Sequence, residues 1–163
     1  MRPLRRRLLM ATLVAAALGL SAGPAPAAMS DDGNDQALLA DVDYRAGLLA
    51  LKAGTPVEAL PRFQAALKRF PDSANLHNEL GYSHRKLRLF DQAFEHYKRA
   101  LALDPNHRAA HEYIGEAYLE VGDPGSAQRH LAALKSICLL PCEESKDLAA
   151  AIAAYHARGR APP

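Results

Sequence analysis

Apolar and polar positions alternate along this chain with a helical rhythm. Across Asn75–Leu87 a stripe runs through Leu76, Leu80, Tyr82, His84 and Leu87, and across Asp91–Leu103 a second joins Phe94, Tyr97 and Leu101 to Ala93 and Ala100. Proline and capping residues punctuate the rhythm. Thr55-Pro56-Val57-Glu58 reads as a capping box with proline at the first helical position, and Asp123-Pro124 as an N-cap followed by proline. Phe70-Pro71 and Asp104-Pro105 close helices, because the residue before proline is pushed out of the helical region. Pro61 falls inside an expected helix, where it removes a donor, and predicts a slight kink or a late start.

The rhythm repeats. Gly47, Gly81 and Gly115 are 34 residues apart, as are Ala59, Ala93 and Ala127, and Phe63, Tyr97 and Leu131. Ala66, Ala100 and Leu134 form a fourth column, and Pro71 and Pro105 a fifth that lapses in the third copy. Five columns at one period mean one structural unit used three times. Small residues at Gly81 and Ala93 let two helices approach closely, so the unit is a helical pair. Each unit alone leaves an apolar face bare, so stacking and polar end caps are required. Glu143–His156 supplies one cap, with Leu148, Ile152 and Tyr155 on its apolar stripe and Glu144 and Lys146 on the far face. The expected architecture is all-α: three helical pairs and a capping helix, seven helices with no sheet.

The period, together with the order Gly, Tyr or His, Ala-x3-Phe/Tyr-x2-Ala, Pro, resembles the tetratricopeptide repeat family. The resemblance covers Ala40–Ser73, Ala74–His107 and Arg108–Pro141, with a capping helix over 143–157, within a domain spanning 37–158 and a tail at 159–163. It implies an α-solenoid with a concave binding groove and a non-catalytic role. Asp43, His77 and His111 depart from the bulky aromatic usual at that position. The ending Cys-x3-Cys-Glu-Glu-x3-Leu-x3-Ile-x2-Tyr is similar to the tails of short exported bacterial repeat proteins.

The N-terminus changes the charge argument. MRPLRRR, then the apolar LLMATLVAAALGL, then SAGPAPA follow the order of a cleaved Sec-type secretory signal, with cleavage expected after Ala27. The apolar run falls short of the ~20 residues that span a bilayer, so no stable membrane insertion is expected once the signal is removed. Arg2, Arg5, Arg6 and Arg7, and no acid, lie in residues 1–27. Their loss takes the basic count from 20 to 16 against 18 acidic residues, a formal charge of −2. The basic balance of the whole chain is therefore no footprint of nucleic acid. Residues 28–36 read as a disordered leader. A periplasmic or secreted location follows.

Candidate chemistry is sparse. Cys138 and Cys142 are the only cysteines, and in an oxidising compartment such a pair reads as a disulfide that fixes the cap angle. A thiol-redox or cofactor-assembly role for the pair is the alternative, although active dithiols favour a two-residue spacing. His77 and His111 occupy equivalent repeat positions about 10 Å apart, too far to share one ion, and read as polar stand-ins for the aromatic. No nucleophile-base order, phosphate loop, zinc signature or cofactor motif is present, and the chain is read as non-enzymatic with no cofactor or metal. A protein or peptide partner is expected. Carried onto this chain, the family's groove positions give Tyr44 and Leu48 in the first repeat, Asn78, Tyr82, Arg85 and Lys86 in the second, and Glu112 and Glu116 in the third. The resemblance thus implies a groove running from apolar through basic to acidic. Glu112 and Glu116 stand where the family's clamp for acidic chaperone tails needs basic residues, which argues against such a tail.

Overall fold

The computed structural model describes residues 32–159. Among them it forms eight α-helices and no strand: α1 (Asp32–Ala40), α2 (Val42–Lys52), α3 (Pro56–Leu67), α4 (Ala74–Lys86), α5 (Phe90–Leu103), α6 (Arg108–Glu120), α7 (Pro124–Ile137) and α8 (Glu143–Arg158). The pairs α2/α3, α4/α5 and α6/α7 stack in order and α8 closes the end against α6 and α7. This is the expected solenoid. The segment read as a signal peptide lies outside the described residues.

The seven-helix count and the disordered leader need correction at α1. Residues 32–36 are helical, and Leu38 is fully buried with Tyr44, Phe63, Leu76 and Leu80. Without Leu38 the apolar end of the first repeat would face water, so this one side chain anchors a polar segment whose composition gives no helical signal.

Glycine sets the spacing within the pairs. A Cβ at Gly81 would lie 2.6 Å from the Tyr97 ring, and one at Gly115 would lie 2.7 Å from Leu148 of the cap. Tyr97 and Phe63 are thereby seated on their partner helices and fully buried. The turn inside each pair needs a left-handed residue, supplied by Gly54 (φ 76°), Arg88 (φ 61°) and Gly122 (φ 83°) at the same 34-residue interval.

The punctuation differs from expectation at two points. Thr55 makes no side-chain cap; its hydroxyl lies 3.0 Å from both the Ala50 carbonyl and a Glu58 carboxylate oxygen, drawn back toward the preceding helix. Glu144 does not sit on a free face but reaches Arg108 of α6 at 3.5 Å. Pro61 neither delays nor interrupts α3, which starts at Pro56 and runs on through it. Asp123 caps α7 as expected, accepting from the Ser126 amide at 2.9 Å.

Candidate functional site

Asn78, Tyr82 and Arg85 lie at i, i+4 and i+7 on α4, one face of that helix, and α4 is packed beside α6. Arg85 is the hub. Its Nη2 meets Glu116 and its Nη1 meets Glu120, each at 2.7 Å, with only 8% of the side chain exposed. Its guanidinium lies 5.3 Å from the Tyr82 ring centroid and 5.7 Å from that of Tyr113, and the two tyrosine rings are 5.1 Å apart. Burial alone would lower the Arg85 pKa, but Tyr97, Glu116 and Glu120 outweigh it and hold the group above the ordinary arginine value.

The expected gradient from basic to acidic is therefore corrected: the basic centre and much of the acidic end neutralise each other across α4 and α6. A charge stripe on α6 looks solvated in sequence because the arginine that pairs with it lies 31 and 35 residues away. Glu112 stays outside that pairing. Burial, then the charges of Glu116, Asp147 and Glu144, raise its pKa to about 7. Glu79 is raised to about 7 as well, by desolvation, and its charge is felt by Tyr44, Tyr97 and Tyr113. Among the described residues, Asn78 Oδ1, Arg85 Nε and the Tyr97 hydroxyl are buried without a hydrogen-bond partner; Tyr97 lies beside Arg85 without hydrogen-bond geometry.

The first-repeat positions behave differently. Tyr44 is 5% exposed and packs on Phe63 at a centroid distance of 5.8 Å, and Leu48 lies against the same core. Both belong to the core more than to an open groove. Asn75 is also engaged: its amide nitrogen donates to Asp35 of α1 at 3.1 Å, and His107 Nε2 lies 3.1 Å from its oxygen. The surface left for a ligand centres on Asn78, Tyr82, Arg85, Lys86, Tyr113, Glu112 and Glu116. Lys86 is exposed, with its Nζ 5.7 Å from the Tyr82 ring.

Glu79 and Tyr113 are residues the sequence reading missed, and neither sits in a periodic column that would have marked it. The histidines are a second omission. His77 and His111 do not face each other; they pair with His96 and His130 across their own helical pairs, Nδ1 to Nδ1 at 3.0 and 2.9 Å. His96 and His130 are themselves 34 residues apart, so the signal was present. Cys138 and Cys142 lie at disulfide-bonding distance with a Cα separation of 6.0 Å, between α7 and α8. No described helix is long and apolar enough to cross a membrane.

A stack of helical pairs with a polar, aromatic inner row defines a helical-repeat solenoid. Family models of the tetratricopeptide repeat match residues 44–108 and 86–137. The chain belongs to the tetratricopeptide repeat family. No curated protein matches it in sequence. Among solved structures it is similar to the type III secretion translocator chaperone SycD of Yersinia enterocolitica, at 17% identity and a TM-score of 0.65 over 81% of this chain and 98% of that one. It is similar to PcrH, solved in complex with the chaperone binding region of PopD, at 23% identity and a TM-score of 0.63 over 81% and 97%. MamA from Desulfovibrio magneticus RS-1 matches at 20% identity with a TM-score of 0.57 over 65% and 67%. At these identities the likeness is one of fold.

Proposed function

We propose that this chain is a non-catalytic interaction module of the cell envelope that holds an extended segment of a partner protein along the inner row of α4 and α6. The observation that carries the proposal is the pair of buried groups Asn78 Oδ1, an acceptor, and Arg85 Nε, a donor, seven residues apart on one helix face and both without a partner. A buried polar atom left unpaired costs about 1–3 kcal/mol, and an extended peptide offers the complementary backbone amide and carbonyl groups. Tyr82 and Tyr113 supply rigid aromatic area beside them. Glu112 and Glu79 set a preference for segments with a basic residue and against acidic tails. The complex of PcrH with a segment of PopD lends support, because this chain shares that fold.

Export rests on the signal-like residues 1–27, and a Cys138–Cys142 disulfide belongs to the same compartment. N-terminal sequencing of envelope material should begin at Ala28, and an intact Met1 in the membrane fraction would replace export with anchoring.

Crosslinking capture from envelope extract tests the groove. Asn78→Ala/Tyr82→Ala should lose the partner that wild type captures, and Cys138→Ser/Cys142→Ser should keep it. Loss with the cysteine pair alone transfers the role to thiol or cofactor-assembly chemistry. If neither variant changes what is captured, the inner row is not the binding surface.

A further inference from the structure

In both histidine pairs the inner ring is tied down on its far side. His77 Nε2 lies 3.0 Å from the Pro71 carbonyl and His111 Nε2 lies 3.1 Å from the Pro105 carbonyl. A carbonyl only accepts, so Nε2 carries the proton and each inner Nδ1 presents its lone pair to the outer ring. The outer rings, His96 and His130, therefore donate from their own Nδ1. Burial lowers the pKa of both to about 4, the histidine partner and neighbouring positive charge adding to the effect, so all four rings can stay neutral at pH 7.

An imidazole anchored through one nitrogen to a backbone carbonyl, with the other nitrogen held toward a second imidazole, is the arrangement that orients histidine ligands. The separation also fits. Two metal–nitrogen bonds of about 2.0–2.1 Å meeting at a right angle place their nitrogens about 2.9 Å apart, against 3.0 and 2.9 Å here. A small tilt of each ring turns lone pairs that face one another into lone pairs that converge. Flat partners brace the outer rings: His84 stacks on His96 at 5.2 Å and Tyr118 on His130 at 5.7 Å. The inner rings are 8% exposed and the outer rings half-buried, so an ion would approach past the outer ring.

We infer that His77–His96 and His111–His130 are two repeat-related sites for a first-row divalent transition ion, each giving two imidazole nitrogens and leaving the other positions to water or a partner's donor. No group of three histidine, cysteine or carboxylate side chains suited to an ion exists among the described residues, so the protein supplies two ligands per site. Imidazole donors and the Irving–Williams order make Cu²⁺ the tightest binder. On binding, the proton between the rings leaves Nδ1 of the outer histidine and that ring is protonated at Nε2 instead. Both imidazoles remain neutral and no net proton is released.

Titration of the purified chain with Cu²⁺ at pH 7.5, followed by calorimetry and electron paramagnetic resonance, tests the inference without any partner protein. Two ions should bind per chain with micromolar affinity, each with a two-nitrogen signature. His96→Phe and His130→Phe should each remove one ion, and the double variant both, since phenylalanine keeps the ring volume but has no donor. Circular dichroism melting without metal checks that the variants stay folded. If wild type binds no Cu²⁺, or the folded double variant still binds two ions, the pairs are hydrogen-bonded packing and the inference fails.

Discussion

Arg85 Nη2 of α4 and Glu116 Oε2 of α6 meet at 2.7 Å and tie the second repeat to the third across the inner row. Because the arginine is almost wholly buried, its partners matter more than those of a surface pair. Glu116→Gln/Glu120→Gln leaves that charge uncompensated and should cost about 3 kcal/mol in urea unfolding. Arg85→Met keeps the apolar stem and removes the charge, and should cost about 1 kcal/mol or less. Equal losses in the two variants would mean that the guanidinium is solvated and the pair is weak.

Gly81 and Tyr97 set the spacing inside the second pair. A methyl group at Gly81 would sit 2.6 Å from the ring, closer than any real contact, so the helices must part. Gly81→Ala should destabilise by about 1–3 kcal/mol despite the better helix propensity of alanine. Gly81→Ala/Tyr97→Leu should cost less than the two single changes added together, because the smaller side chain relieves the clash. A thermal melt of Gly81→Ala at or above the wild-type midpoint would contradict the packing.

What sequence alone could reveal divides along physical lines. Helical pairs were legible because each needs glycine or alanine at the close approach and proline at the exit, and those demands recur every 34 residues. The helix α1 was not legible, since one buried leucine holds it and no period includes it. Groove electrostatics failed for a related reason: the partner of the acidic stripe on α6 lies one repeat away. His96 and His130 were visible as a column, but attention to one helix position hid their pairing with another.

Arg88 occupies the left-handed position that glycine fills at the equivalent turns, with φ 61° against 76° at Gly54 and 83° at Gly122. A side chain there costs about 1–2 kcal/mol, partly offset by the greater freedom glycine brings to the unfolded chain. Its contact with Glu120 is long, 4.0 Å, and exposed. Arg88→Gly should therefore raise stability by about 0.5–1 kcal/mol. An unchanged or lower melting temperature would show that the Arg88 side chain contributes more than its strain.

Acid and base act on this fold in opposite senses. Glu79 and Glu112 are raised to about 7 from an ordinary value of 4.5, so the folded state holds protons that the unfolded chain has released. Their stabilisation is complete below about pH 4.5 and is lost as pH rises toward 7. His96 and His130 are lowered to about 4 from 6.5, so their contribution is complete above about pH 6.5 and is lost as pH falls through 4. Glu112→Gln should match wild type near pH 4.5 and exceed it at pH 7.5 in urea midpoint. His96→Phe/His130→Phe should lose less stability than wild type between pH 6.5 and pH 4. A Glu112→Gln chain with the wild-type pH profile would place that carboxylate in open solvent.

Cys138 and Cys142 stand at the joint between α7 and the capping helix, where Leu148 of that helix reaches Gly115 and Ser145 Oγ donates to the Cys142 carbonyl at 2.8 Å. A bond between the cysteines closes a very short loop, so its effect on the unfolded chain is small, about 1–2 kcal/mol. Its larger consequence is local: it limits the angles at which α8 can leave α7 and so favours seating of Leu148 and Ile152. Thiol counting in denaturant without reductant should find no free thiol in envelope material. Cys138→Ser/Cys142→Ser should lower overall stability by about 1–2 kcal/mol, while hydrogen exchange speeds up most in α8 and little in α4 and α5. Uniformly faster exchange across all repeats would contradict a role confined to the cap, and two titratable thiols in freshly isolated protein would leave the pair open to redox chemistry.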